Sequence, residues 1–383
     1  METLNLPAGD FELARVPPAG KRPLRAWDAA DEYVLEYLSE RDELGSLLVV
    51  GDGFGALSCA LASYSPTVVN ESAAGREAIS ANLERNGLAP IDAGSILDER
   101  SAETRYDAVV IKIPKATAHL VDILHRVRPH VDATTDIVGA AMAKHVHSSA
   151  IDAFEDIIGP TTTSLAKKKA RLIHSTVDNT VNPTPNPWPK TWTTHGHRLS
   201  NYGGGFSPNK LDPGTALLLD SLPPFEELVV DLPASEPLNV VDLGCGNGII
   251  GLAISALLDG LAIDHHICAV DDSALALAAA RESWAVRASQ PVSFHHQHRL
   301  VNIAEPGSVD LVVVNPPFHD DRALGDETAW SMFVDAHKVL RPGGRLIVVG
   351  NRHLAYHAKL KKIFGGIDQM ASNAKFVVVQ AMR

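Results

Sequence analysis

Short unbroken apolar runs along this chain alternate with longer stretches in which apolar residues recur at helical spacing. From Leu47 to Leu61, LLVVGDGFGALSCAL reads as a buried strand, a glycine turn and the start of a helix. Thr67 to Val69 is a second short strand ending at Asn70 and Glu71. An alanine-rich helix follows, and Tyr106 to Ile113 is a further strand. Val121 to Val127 reads as helix, Ile137 to Ala141 as strand, and Ile151 to Ile158 as helix. After a gap the rhythm restarts at Leu238. Strand Asn239 to Leu243 leads through a glycine loop to a helix ending near Leu258. Strand His266 to Val270, helix Leu275 to Arg287, strand Val309 to Val314, helix Ala329 to Leu340 and strand Arg345 to Val349 complete it. Such alternation predicts an α/β fold with parallel sheets covered by helices on both faces.

The two stretches copy each other. With Gly53 set against Gly244, Val49 to Gly55 lies over Val240 to Gly246, and Asn70-Glu71-Ser72 lies over Asp271-Asp272-Ser273. Val109 to Pro114 lies over Val312 to Pro317, and Val121-Asp122, His125 and Arg128-Pro129 echo Val334-Asp335, His337 and Arg341-Pro342. The pattern predicts two tandem doubly wound Rossmann-like domains. The first spans 1–178 and the second 201–383. Between them NTVNPTPNPWPKTWTT and its neighbours, 179–200, read as a stiff proline-rich linker. A length of 383 residues suits two domains of about 150–200 residues each.

Composition narrows the classes of function. No apolar run approaches the roughly 20 residues of a membrane span, and the first residues lack a basic-then-apolar leader pattern. Cys59, Cys245 and Cys268 show neither a disulfide framework nor zinc spacing, so no metal is expected and the cytoplasm is the expected location. A net charge of −12 argues against indiscriminate binding of polyanions. Basic residues nevertheless cluster at Lys167 to Lys169 with Arg171, and at Lys359, Lys361 and Lys362. Taken alone, each cluster reads as a solvated helix face.

Candidate chemistry concentrates in the second half. Asp242-Leu243-Gly244-Cys245-Gly246-Asn247-Gly248 joins a strand to a helix, and its glycines let a ligand approach the backbone closely. The GxGxG spacing, with an acid two residues before the first glycine, suits a ligand that carries an amino-acid moiety, whose ammonium Asp242 would meet. Asp271 ends the next strand, where a carboxylate can accept from both hydroxyls of a ribose. His298, beyond the histidine-rich segment Val292 to Gln297, is the expected neighbour of an adenine. Asn315-Pro316-Pro317-Phe318 follows an apolar strand. The Asn315 side-chain carbonyl and the Pro316 backbone carbonyl can each accept one N–H of a planar amine, and Phe318 can stack on its ring. The first half has lost this set: Gly51 stands for the acid, Asn70 for the ribose carboxylate, and Lys112 and Lys115 for the ends of the turn. A lysine cannot accept those N–H bonds, so no such catalysis is expected there, and its lysines are candidate phosphate contacts.

These motifs resemble the two-domain ribosomal RNA guanine-N2 methyltransferases, most of all those acting on the large-subunit (23S) RNA. The likeness covers nearly the whole chain and rests on VVDLGCGNGIIG, VVVNPPFHDDRAL, GNRHLAYHAKLKKIFGG, FSPNKLDPGTALLLD and GPTTTSLAKKKARL. It implies a degenerate, RNA-holding N-terminal methyltransferase-like domain and a catalytic C-terminal class I methyltransferase domain that uses S-adenosyl-L-methionine. It places Asp242, Gly244, Gly246 and Gly248 at the methionine part, Asp271 at the ribose, and Asn315 to Phe318 at the target base. Ribosomal RNA, naked or in an assembling subunit, is then the partner, and the protein is expected to be a monomer. The turn alone equally suits adenine N6 or a protein glutamine N5, and a non-catalytic RNA-binding assembly factor would keep the same fold.

Overall fold

The computed structural model describes residues 2–7, 9–16, 24–91, 93–97, 104–207, 210–222, 237–287, 292–317 and 322–383, the side chains of 322–326 excepted. Phe318 lies outside these residues. The chain forms two compact units, Met1–Pro189 with Tyr202–Gly204, and Lys190–Asn201 with Gly205–Arg383.

Unit 1 opens with an antiparallel hairpin, β1 (Glu2–Leu6) and β2 (Gly9–Leu13), then helix α1 (Ala29–Ser39). There follow β3 (Leu47–Val50), α2 (Ala56–Ala60), β4 (Thr67–Val69), α3 (Ala73–Arg85), β5 (Ala93–Gly94), β6 (Ala108–Lys112), α4 (Thr117–Val127), β7 (Asp136–Met142), α5 (Ser148–Ile157), β8 (Thr161–Thr163) and β9 (Ala170–Ser175). The strands form one sheet in the order β5-β4-β3-β6-β7-β9-β8. All neighbours pair parallel except β9, which runs against β7 and β8.

Unit 2 repeats this plan. A hairpin, β10 (Lys190–Thr194) and β11 (His197–Asn201), precedes α6 (Pro213–Asp220). Then come β12 (Leu238–Leu243), α7 (Ile249–Gly260), β13 (His265–Asp271), α8 (Ala274–Trp284), β14 (Val292–His296), β15 (Val309–Val314), α9 (Arg322–Val339), β16 (Leu340–Asn351), α10 (Tyr356–Phe364), β17 (Asp368–Ser372) and β18 (Phe376–Met382). The sheet order β14-β13-β12-β15-β16-β18-β17 is that of unit 1, with β18 reversed where unit 1 reverses β9. Central strands such as β15 are buried along their whole length because helices cover both faces, which is why they read as unbroken valine runs. Phe154 in unit 1 and Phe333 in unit 2 anchor one face each and are fully buried. Truncating either to Ala would cost about 3–5 kcal/mol.

Two expectations change. The segment 179–200 is not an aperiodic linker throughout, since Lys190 onward forms the β10–β11 hairpin. Trp192 and Leu199, directly paired across it, point into the unit 2 core, and His195 and Gly196 turn with positive φ of 48° and 75°. This hairpin is the counterpart of β1–β2. The Ser200 N–H donates to Ser283 Oγ at 2.9 Å, as the Ala14 N–H donates to Asn82 Oδ1 at 3.0 Å. Asn82 and Ser283 each lie ten residues beyond the N-cap serine of their helix, Ser72 in α3 and Ser273 in α8.

The residue alignment of the halves also shifts at the glycine loop. Val50 pairs with Val69 and Ile111, while Leu243 pairs with Val270 and Val314. Val50 therefore matches Leu243, Gly51 matches Gly244, and Val49, not Gly51, stands where Asp242 does. The matches of Asn70 with Asp271 and of Lys112 with Asn315 follow directly from these registers.

Candidate functional site

The carboxyl ends of β12, β13 and β15 bring the glycine loop, Asp271 and Asn315 to one edge of the unit 2 sheet, where open α/β sheets bind ligands. The Gly244 and Cys245 N–H groups both donate to the Val270 carbonyl, at 2.8 and 3.0 Å, tying the loop to β13. Gly248 has φ +83°, and a Cβ there would stand 2.9 Å from Trp284 Nε1, so only glycine fits at the start of α7. At Gly246, φ +55°, a Cβ would meet nothing within 4 Å, so the loop crest faces open space. Asn247 steadies the crest by donating to Asn201 Oδ1 at 2.9 Å. Of the three glycines named from the sequence, Gly246 is the one whose surroundings leave room beside the backbone.

Asp242 lies deeper than its neighbours in the loop. It is fully buried beneath the loop, and its Oδ2 accepts the Gly251 N–H at 2.8 Å. Burial pushes its carboxyl up to about 7, against the pull of that N–H. Enclosed in this way, Asp242 anchors the first turn of α7 through Oδ2, while its Oδ1 has no hydrogen-bond partner among the described residues. Asp271, by contrast, is half-buried at the strand end. Its Oδ2 accepts the Gly246 N–H and its Oδ1 the Ser273 N–H, both at 2.9 Å, and a carboxylate so held keeps acceptor capacity for hydroxyl groups. Ser273, not Asp271, caps α8. His298 lies half-buried just past β14, whose last residue, His296, pairs with Asp271. It is thus on the same edge, one strand outward.

Asn315 is held from a part of the chain that sequence reasoning did not single out as a site. Its Nδ2 donates to Thr215 Oγ1 at 2.8 Å and to Asp212 Oδ2 at 3.2 Å. Asp212 is the N-cap of α6, and Thr215 is the third residue of that helix. Asn315 Oδ1 is shielded from solvent and has no hydrogen-bond partner among the described residues. The available signal was the segment Leu211-Asp212-Pro213-Gly214-Thr215, a capping acid followed by proline at the first helical position.

In unit 1 the corresponding edge is closed to such chemistry. Lys112 Nζ lies 3.0 Å from Asp28 Oδ1 and 2.6 Å from Asp31 Oδ1, with only 16% of its side chain exposed. Burial pulls its ammonium down, but Asp31 and Asp28 outweigh that and hold it above its ordinary value. Burial raises the Asp31 carboxyl to about 6, with Lys112 opposing. Lys112 is therefore not the free phosphate contact expected of it. Asn70 is buried and spends its amide on its own loop, donating to the Asp52 carbonyl at 2.6 Å and accepting from Ser72 at 2.9 Å. Of the basic cluster nearby, Lys167 bonds Glu36, and Lys168 lies 2.6 Å from Glu32. Both belong to the turn between β8 and β9, not to a helix face.

The strand order with its single reversed strand, and the glycine loop at the end of the first central strand, define the class I methyltransferase fold in both units. A solved T. thermophilus 16S rRNA N2 G1207 methyltransferase, in complex with AdoMet and guanosine, shares this fold over 100% of this chain and 97% of its own. The TM-score is 0.77 at 20% identity. Residues 1–179 match the RLMG N-terminal domain family and residues 196–380 the methyltransferase small domain family. Among full-length relatives, the ribosomal RNA large subunit methyltransferase G of Streptomyces avermitilis is 41% identical over 100% of this chain and 99% of its own length. That of Pseudomonas aeruginosa is 39% identical over 98% of each. The chain belongs to the ribosomal RNA large subunit methyltransferase G family.

Proposed function

We propose that this protein methylates the exocyclic N2 amine of one guanine in large-subunit (23S) ribosomal RNA, using S-adenosyl-L-methionine. The observation that carries the reading is Asn315, whose amide is anchored by its nitrogen while its oxygen has no partner among the described residues. The residues present fit the cofactor. The open backbone at Gly246 can border its methionine part, and the Asp271 carboxylate can take its ribose hydroxyls. Bound there, it would supply an electrophilic methyl group.

Everything else falls to the chain. An amine conjugated to a base has its lone pair spread into the ring and is a poor nucleophile. The Asn315 Oδ1 and the Pro316 carbonyl, each accepting one N–H, favour a pyramidal nitrogen and stabilise the positive charge that grows on it. Once methylated, the nitrogen is acidic and loses its proton to water, so no strong base is needed. Phe318 would stack on the base, which must be unpaired or flipped out to reach this edge.

The relatives' names favour ribosomal RNA over a protein glutamine, and the guanosine in the solved neighbour favours guanine over adenine. Unit 1 would hold RNA without Lys112, through the exposed Lys115, Lys144 and His147, which gather around His145. In unit 2 the run Arg352 to Lys362 adds Arg352, Lys361 and Lys362 to the surface without an acid among them. We take the protein to act as a monomer in the cytoplasm.

Mass spectrometry of 23S RNA from a deletion strain tests the reading. A single N2-methylguanosine should vanish and return with the wild-type gene but not with Asn315→Ala. Unchanged guanosines, or an altered adenosine, would overturn it.

A further inference from the structure

An asparagine amide presents a donor at one end and an acceptor at the other in nearly the same shape, so a half-turn exchanges them. At Asn315 only one orientation presents an acceptor to an amine, and the structure supplies a reason for that orientation. Asp212 Oδ2, which accepts the Thr215 N–H at 2.9 Å as the N-cap of α6, also accepts Asn315 Nδ2 at 3.2 Å. A carboxylate only accepts, so it draws the NH2 end and turns the carbonyl away. Thr215 Oγ1 takes the second N–H at 2.8 Å while donating towards the same Asp212 oxygen at 3.5 Å.

Unit 1 carries the same pocket around a different side chain. There the N-cap of α1 is Asp28 and its third residue is Asp31, and together they grip Lys112, the positional equivalent of Asn315. N-cap and third helical residue hold the strand-end side chain in both copies. The pocket's chemistry follows what it holds: two carboxylates for an ammonium, a carboxylate and a hydroxyl for an amide.

We propose that Asp212 and Thr215 are positioning residues that lock the Asn315 amide with its carbonyl facing the amine to be methylated, and so make the site select an N–H donor. The proposal rests on the reading of Asn315 given above. Full-length variants test it. Asp212→Ser keeps a helix cap but loses the reach to Asn315, Thr215→Val removes the hydroxyl, and Thr215→Ser keeps it. Asp212→Ser should lower kcat on ribosomal RNA on the order of 100-fold. Thr215→Val should lower it less, and Thr215→Ser should restore it, with cofactor affinity by calorimetry unchanged throughout and the melting temperature within several degrees of wild type. In the Asn315→Ala background, Asp212→Ser should add no further loss.

A readout free of turnover is the NMR spectrum of protein labelled with 15N-asparagine. The side-chain NH2 pair that disappears in Asn315→Ala should exchange slowly with solvent in the wild type and fast in Asp212→Ser. Wild-type kcat in Asp212→Ser, unchanged NH2 exchange, or additive losses in the double variant would overturn the proposal. Should Asn315→Ala itself methylate at the wild-type rate, the assignment of Asn315 falls and takes the proposal with it. An inactive Asn315→Ala beside a fully active Asp212→Ser rejects the positioning role alone.

Discussion

Units 1 and 2 have the same strand order, the same reversed strand and the same docked hairpin, yet their sheet edges do opposite things with their polar groups. Unit 2 keeps a strand-end carboxylate on its glycine loop, Asp271, and a shielded amide oxygen without a hydrogen-bond partner among the described residues, Asn315 Oδ1. Unit 1 turns every corresponding group inward: Asn70 onto the Asp52 carbonyl, Lys112 onto Asp28 and Asp31. A site is lost here less by deletion than by satisfaction. Groups that could have met a ligand now meet each other, and the fold keeps the stability of those contacts.

The anchoring acid shows how such change proceeds. In unit 2, Asp242 at the end of β12 accepts the Gly251 N–H. In unit 1, Asp52 in the loop accepts the N–H of Ser58, the residue matching Gly251, at 2.7 Å, together with the Ser58 hydroxyl at 2.7 Å and the Gly55 N–H at 3.0 Å. The atom being served has stayed in place while the acid serving it has moved three positions along the fold.

Changes that push one unit toward the other test this contrast. The largest effect is expected from Asn315→Lys, which installs the unit 1 side chain in unit 2. Methylation of ribosomal RNA should fall by at least about 10²–10³-fold in a tritium-transfer assay, with cofactor binding retained; activity within tenfold of wild type would undo the comparison. Lys112→Met should next strip the counter-charge from Asp31, only 9% exposed, and cost unit 1 about 3 kcal/mol, the lower end for a broken buried pair because Asp28 is half-exposed. Urea denaturation measures that cost, and an unshifted midpoint would mean the carboxylates find other partners.

Asn70→Asp is the tempting single-residue reversal of unit 1. It should not create a ribose site, because it sets a carboxylate against the Asp52 carbonyl that Asn70 now donates to at 2.6 Å. The expected result is a loss of about 1–3 kcal/mol with no second molecule of cofactor bound in calorimetry. The smallest effect concerns pH. Burial raises the Asp242 carboxyl to about 7, above its unfolded value of 3.8. Its contribution to stability is therefore complete below pH 3.8 and is lost as pH rises toward 7, by up to about 1.4 kcal/mol per pH unit. Asp242→Asn can still accept the Gly251 N–H and should flatten that slope; identical slopes in variant and wild type would show that Asp242 titrates normally.

Where apolar runs were unbroken, the sequence described the fold closely: Val309 to Val314 is read and observed with the same bounds. The reversed strands β9 and β18, both late in their units, were not anticipated, because their apolar runs carry no mark of direction. The hairpin at Lys190 hid in a proline-rich neighbourhood, although the His195-Gly196 turn between Trp192 and Leu199 marks it. At the candidate site, the strand ends that bring Asn315, Asp271 and the glycine loop to one sheet edge were legible from local spacing. Asp212 and Thr215 were not, since they reach Asn315 across 103 and 100 positions of chain. Asp242 was named, but its enclosure depends on Gly251 and the packing around it, which no local pattern states.

The hairpin that opens each unit also sets an order of events during synthesis. Two strands alone are marginally stable in water, and each hairpin docks onto a helix residue far downstream, 68 positions from Ala14 to Asn82 and 83 from Ser200 to Ser283. At ordinary elongation rates that partner emerges on the order of 10 s later. Each half therefore begins with a piece that must wait, and the hydrogen bond that ties it to Asn82 in one copy and to Ser283 in the other can form only once α3 or α8 has left the ribosome.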